Sequence, residues 1–158
     1  MNPDLANVLR SVLETQRIAS LGTLHQGEPY VSMVPFALLP GGVFVIHVSA
    51  LAAHTKDMRA SPRVSLLVIA PPDAQTPPQA VARVTVQADA EPLDASMPEY
   101  PQARAAYLER FPQSTQTFEL SDFSLFAIRP RSLRVVGGFA QAKTVTPGGL
   151  AGVLSGRE

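Results

Sequence analysis

The chain contains no cysteine, which rules out disulfides, thiolate nucleophiles and cysteine-ligated metal or iron–sulfur centres. Tryptophan is absent too, and aromatic residues make up only 6% of the 158 positions, a poor supply for a base-stacking nucleic-acid platform. Charge is scarce and balanced: 13 Lys and Arg stand against 13 Asp and Glu, giving a formal net charge of +0 and an isoelectric point near 6.8. Without a basic cluster or charged tail there is no electrostatic footprint for nucleic acid. No apolar run approaches the roughly 18–20 residues of a membrane span. Met1-Asn2-Pro3-Asp4 does not begin a charged segment followed by an apolar one, so no signal peptide is read. These absences lead to the expectation of a cytoplasmic protein with no membrane and no nucleic-acid partner.

Apolar residues, by contrast, are plentiful. At 46% hydrophobic content the chain can bury a real core, and its length suits one domain spanning 1–158. A neutral surface gains little solubility from net repulsion, which fits a face buried in an oligomer.

Asn2 and Pro3 form an N-cap and first-turn pair. Leu5, Val8, Leu9, Val12 and Leu13 then repeat at helical spacing, predicting a helix over 3–16 with one apolar stripe. From Ile18 the texture becomes β-like. Strands are expected at 18–24 and 28–36, joined by His25-Gln26-Gly27, then at 43–48 and 64–69. Between the last two lies a helical segment near 51–59, stopped by Ser61-Pro62.

After a proline-rich loop at 71–78, residues 81–90 alternate. Ala82, Val84, Val86 and Ala88 fall on one face, and Arg83, Thr85, Gln87 and Asp89 on the other. That is the pattern of a half-covered sheet. A second amphipathic helix is predicted at 101–111. Two closing strands, 123–128 and 133–136, are separated by Arg129-Pro130-Arg131, and the tail 146–158 reads as loose. Hairpin connections without βαβ alternation give a mainly β, antiparallel barrel with peripheral α-helices and a core over about 18–142.

The residues best suited to chemistry lie where the third strand runs into the short helix. Ser49 sits at that junction, and His54, Thr55 and Lys56 supply a potential cation, a hydroxyl and a fixed charge within one turn. A helix start adds unpaired N–H groups and positive potential, so the set suits a phosphate monoester. An N-cap serine, a surface lysine and an incidental histidine would account for the same residues. His25, in the hairpin turn, reads as solvated, and His47, alternating with Val43 and Val45, as a hydrogen-bonded semi-core residue. No paired metal-ligand spacing and no nucleophile elbow is present, so no metal is expected and no catalytic residue is assigned.

Several segments carry a resemblance, in chain order: Leu21-Gly22-Thr23-Leu24, Gly27-Glu28-Pro29-Tyr30-Val31-Ser32, Leu51-Ala52-Ala53-His54-Thr55-Lys56-Asp57-Met58, Pro62-Arg63-Val64-Ser65-Leu66-Leu67 and Val136-Gly137-Gly138-Phe139. Together they resemble the FMN-binding split β-barrels related to pyridoxamine 5′-phosphate oxidase, in the haem-utilisation-like branch. The resemblance implies a homodimer with FMN at the subunit interface and a small-molecule substrate for an FMN-dependent oxidoreductase. It places Val31, Ser32, Met33 and Val34 beside the flavin ring, Val48, Ser49, His54, Thr55 and Lys56 at the phosphate, and Arg83 as a polar contact to the flavin.

Two alternatives stay open: flavin or haem binding without flavin turnover, and haem degradation. The branch's closing glycine is replaced by Ala140. Longer relatives in this branch carry a further C-terminal domain, and the resemblance therefore leads to the expectation that haem breakdown is in doubt.

Overall fold

In a computed structural model, residues 1–156 are described. Arg157 and Glu158, the end of the tail expected to be loose, lie outside them. The first helix, α1 (Pro3–Thr15), begins as the sequence indicates: the Asn2 side chain accepts from the Asp4 backbone N–H at 2.8 Å, with Pro3 in the first turn. Its stripe of Leu5, Leu9, Val12 and Leu13 is buried.

Strands β1 (Ile18–His25) and β2 (Glu28–Pro35) form a hairpin closed by the His25–Glu28 pair. The two loop residues, Gln26 and Gly27, have φ of 53° and 83°, the positive values that a two-residue hairpin needs. A short β3 (Ala37–Leu38) precedes β4 (Phe44–Ser49), α2 (Ala53–Ala60), β5 (Arg63–Ile69) and β6 (Arg83–Leu93). Helix α3 (Tyr100–Arg110) and a 3-10 segment (Pro112–Glu119) lead to β7 (Phe123–Gly138), β8 (Gln141–Val145) and α4 (Pro147–Ser155).

The strands make one 8-stranded antiparallel sheet in the order β2-β1-β5-β6-β7-β4-β3, with β8 on β7. It curls into a half-barrel. The concave side encloses α1 against Leu21, Phe36, Phe44, Leu66, Val86 and Phe126. A second core, built on Val45, Leu125, Ala127, Ala103 and Tyr107, lies under α3 on the other side of β4 and β7.

The structure corrects two sequence expectations. The separate strands 123–128 and 133–136 are one strand, because the register shifts between Gln87 and Ala88: Ala88 pairs with Pro130, Gln87 with Ser132, and Arg131 is the extra residue. A bulge is where a strand tolerates a residue without an N–H. Residues 146–156 of the tail form a capped helix. Thr146 caps α4 by accepting from the Gly149 N–H at 3.0 Å, Leu150 is fully buried, and the Arg10 guanidinium donates to the Val153 carbonyl at 2.7 and 3.0 Å. Leu150 packs so closely on Gly42 that a β-carbon there would lie 2.8 Å from its Cδ2.

Candidate functional site

Alternation along β1 puts Thr23 and His25 on the same face, and the β2 register adds Tyr30 and Ser32 to that side. Helix α2 packs over this end of the hairpin and inserts Asp57, which is 5% exposed. The Thr23 hydroxyl donates to Asp57 Oδ2 at 2.8 Å, and His25 Nδ1 lies 2.8 Å from Asp57 Oδ1. Burial pushes the Asp57 carboxyl up. The hydrogen bonds from His25 and Thr23, with attraction to His25 and His54, outweigh it and hold the carboxyl below its usual range. An ionised carboxylate only accepts, so the proton in the His25–Asp57 contact sits on His25 Nδ1. Nε2 of the same ring has no hydrogen-bond partner among the described residues, and the side chain is 42% exposed. One turn before Asp57, His54 Nδ1 lies 3.0 Å from Ser32 Oγ. Burial lowers the His54 pKa against the opposing pull of Asp57.

The structure thus brings together two of the expected segments, the second strand and the helix start, through Ser32 and His54. Other expected residues are spent locally. Thr55 is fully buried, and its hydroxyl donates to the Ser49 carbonyl at 2.6 Å. The Ser49 hydroxyl accepts from the Leu51 N–H at 3.2 Å. The helix begins at Ala53 rather than near Leu51, with Ala52 as a cap that offers no side-chain oxygen. Val48 and Val34 are buried. Lys56 is exposed on α2 with no hydrogen bond or ion pair among the described residues. Arg83 is held elsewhere, donating to the Gln79 and Val81 carbonyls at 3.1 and 3.0 Å.

Val31 and Met33 point to the opposite face of the sheet and are 69% and 59% exposed. Ile18, Leu24, Leu67 and Ile69 share that face, so the outer surface of β1, β2 and β5 carries a contiguous apolar stripe beside the free edge of β2. The sequence reading missed the His25–Asp57 contact. The available signal was the two-residue period that aligns Thr23 with His25, together with an acid three positions after His54 on an amphipathic helix.

Residues 5–137 match the pyridoxamine 5′-phosphate oxidase family. The chain belongs to that family. Among its relatives is the chloroplastic haem oxygenase HOZ of Arabidopsis thaliana, 36% identical over 137 residues, which are 85% of this chain and 40% of that protein. The haem oxygenase HutZ of Vibrio cholerae is 32% identical over 140 residues, 87% of this chain and 79% of that one. Among solved structures, a haem-binding protein from Mycobacterium smegmatis superposes with a TM-score of 0.84 at 33% identity, over 96% of this chain and 61% of its own. The chain therefore spans less than two thirds of the Arabidopsis and Mycobacterium relatives. The split-barrel fold and the haem-utilisation branch are the ones the sequence motifs indicate. No helix of the described residues is long and apolar enough to cross a membrane.

Proposed function

We propose that this protein binds haem at His25, where the β1–β2 hairpin meets α2, and acts as a haem-binding or haem-degrading member of its family. The observation that carries the reading is the 2.8 Å contact between His25 Nδ1 and Asp57 Oδ1, with Nε2 left open. A histidine that ligates a metal donates its other ring N–H to a carboxylate or carbonyl, which fixes the tautomer and raises basicity. His25 has that arrangement, so the donor set fits haem iron. The naming of two relatives as haem oxygenases and a third as haem-binding supports the same reading. This replaces the expectation that FMN oxidation is the leading activity.

When bound, haem would supply the redox-active iron. The chain would supply His25 to hold it, Asp57 and Thr23 to orient that ring, and Tyr30, whose ring centroid lies 5.3 Å from that of His25, to line the approach. A second copy covering the apolar stripe with Val31 and Met33 would exclude water from the site beside the edge of β2.

FMN is the second reading. It is favoured by the membership of this family and by the Ser32–His54 contact, which sets the second strand against the helix that carries Lys56, unpaired among the described residues. Titration of the purified apoprotein with haemin decides between them. A saturable Soret shift in the wild type that is lost in His25→Ala supports the haem reading. A yellow preparation that releases FMN and gives no Soret shift sinks it.

A further inference from the structure

His47 lies on the far side of β4 from the barrel interior, in the aromatic cluster under α3. Its ring stacks on Phe118 at 3.8 Å and 7°, with Tyr107 and Phe123 at 5.7 and 5.3 Å. Only 9% of the residue is exposed. Nδ1 sits 3.3 Å from the Thr117 hydroxyl, and that hydroxyl donates its one proton to the Ser114 carbonyl at 2.8 Å. Thr117 therefore accepts from His47, and Nδ1 carries the ring proton. Burial, then repulsion from Arg104, lowers the His47 pKa to about 4, so at neutral pH Nε2 is a bare lone pair.

No donor among the described residues reaches that lone pair. Among the described residues no fully enclosed side-chain nitrogen or oxygen lacks a partner, so Nε2 must open onto space. The space is a cleft of about 420 Å³ that His47 lines together with Tyr100, Phe118 and Phe123, with Arg59 and Asp94 also on its walls. That volume is in the range of small-molecule sites. The walls are aromatic, the charges of Arg59 and Asp94 are opposite in sign, and the buried acceptor is unfilled. None of its lining residues belongs to the Ser32, His25 and Asp57 constellation.

We propose that this cleft is a second binding site, separate from the haem site, for a small neutral aromatic molecule that presents an N–H or O–H donor to His47 Nε2. The flat ring lies among the aromatic walls, and the donor completes a hydrogen bond that His47 Nε2 leaves unmade among the described residues. An anionic ligand would answer to Arg59 instead and would not need the lone pair.

The test uses indole, which has one N–H donor, and N-methylindole, which has the same ring and none. Binding is followed by shifts of the His47 ring signals in NMR. Indole is expected to bind about tenfold more tightly than N-methylindole, the size of a lost hydrogen bond that strands a polar group. In His47→Phe, which keeps the stack on Phe118, the two probes should bind alike. Thr117→Val keeps His47 but frees its tautomer, and should narrow the preference for indole. Equal binding of both probes to the wild type, a preference that survives in His47→Phe, tighter binding of benzoate than of indole, or no binding of any probe would each overturn the proposal.

Discussion

His25 and Asp57, 32 positions apart, meet through one hydrogen bond of 2.8 Å that joins a hairpin turn to the inside of a helix. On the haem reading, the bond sets how firmly the iron is held. His25→Ala removes the proposed iron ligand and should abolish the saturable haem titration. Asp57→Asn keeps the ring but removes the charge that orients it, and should weaken haem by about 10–100-fold, the usual effect of a lost outer partner. Absorbance titrations of the three proteins check this, and equal haem affinity in wild type and His25→Ala would remove His25 from the site.

Lys56 separates the two cofactor readings. Its ammonium is exposed and unpaired among the described residues, so if FMN is bound there, Lys56→Ala should weaken it by about 1.5–3 kcal/mol, the range for a charge-assisted hydrogen bond. Haem affinity of the same variant should stay within about twofold, because no contact of Lys56 supports His25. Fluorescence titration with FMN and absorbance titration with haemin read the two effects independently.

Much of the fold is legible in the sequence. The α1 stripe and cap, and the alternation of β6, follow from local periods, which tertiary packing did not override. Pro130 hid the continuity of β7, because a bulge depends on what the neighbouring strand does at Gln87 and Ala88. Helix α4 was masked by Gly148, Gly149 and Gly152, which lower helix propensity; the burial of Leu150 against Gly42 compensates through a contact with no local signal. At the site, the motif residues Ser32 and His54 do meet. Thr55, which looked like a phosphate donor, instead ties α2 to the end of β4 through the Ser49 carbonyl. For the His25–Asp57 contact the two-residue period gives only the shared face of Thr23 and His25; a turn histidine ordinarily faces water, and it is the packing of α2 on β1 that brings a buried carboxylate to it.

The apolar stripe predicts self-association. Val31 and Met33 are the most exposed members on the outer face of β2. Val31→Glu, and Met33→Glu beside it, would bury charge in any interface formed there. Sedimentation velocity should find a dimer for the wild type and monomer for the double variant, with unchanged circular dichroism. A double variant that still sediments as a dimer would move the interface elsewhere.

The β7–β8 turn carries a local strain that glycine would relieve. Ala140 has φ of 58°, in the left-handed region, next to the 66% exposed Phe139. A left-handed non-glycine residue costs roughly 1–2 kcal/mol, and glycine returns part of that through the greater freedom of the unfolded chain. Ala140→Gly should therefore raise stability by up to about 1 kcal/mol, seen as a higher Tm with no change in ligand affinity. A lower Tm would mean that the methyl group makes a contact worth more than the strain.

His47 makes stability depend on pH in a defined window. Its folded pKa is about 4, against 6.5 for the free side chain, with burial as the first cause and Arg104 as the second. Above pH 6.5 neither the folded nor the unfolded ring is protonated, and His47 contributes no pH dependence. As pH falls from 6.5 toward 4 the unfolded chain takes up a proton that the folded chain refuses, so stability drops across that interval and levels off below it. At about 1.4 kcal/mol per pH unit the ceiling is on the order of 3 kcal/mol, and the opening of Nε2 onto the cleft reduces it to about 1–2 kcal/mol. His54, lowered in the same direction, adds to the wild-type slope but not to the difference between wild type and a His47 variant. Urea unfolding of wild type and His47→Phe at about pH 7 and about pH 4.5 isolates the effect. The loss of stability between the two conditions should be smaller in His47→Phe by about 1–2 kcal/mol, because phenylalanine keeps the stack on Phe118 and has nothing to protonate. An equal loss in both proteins would mean that His47 titrates in the folded chain as it does in the unfolded one.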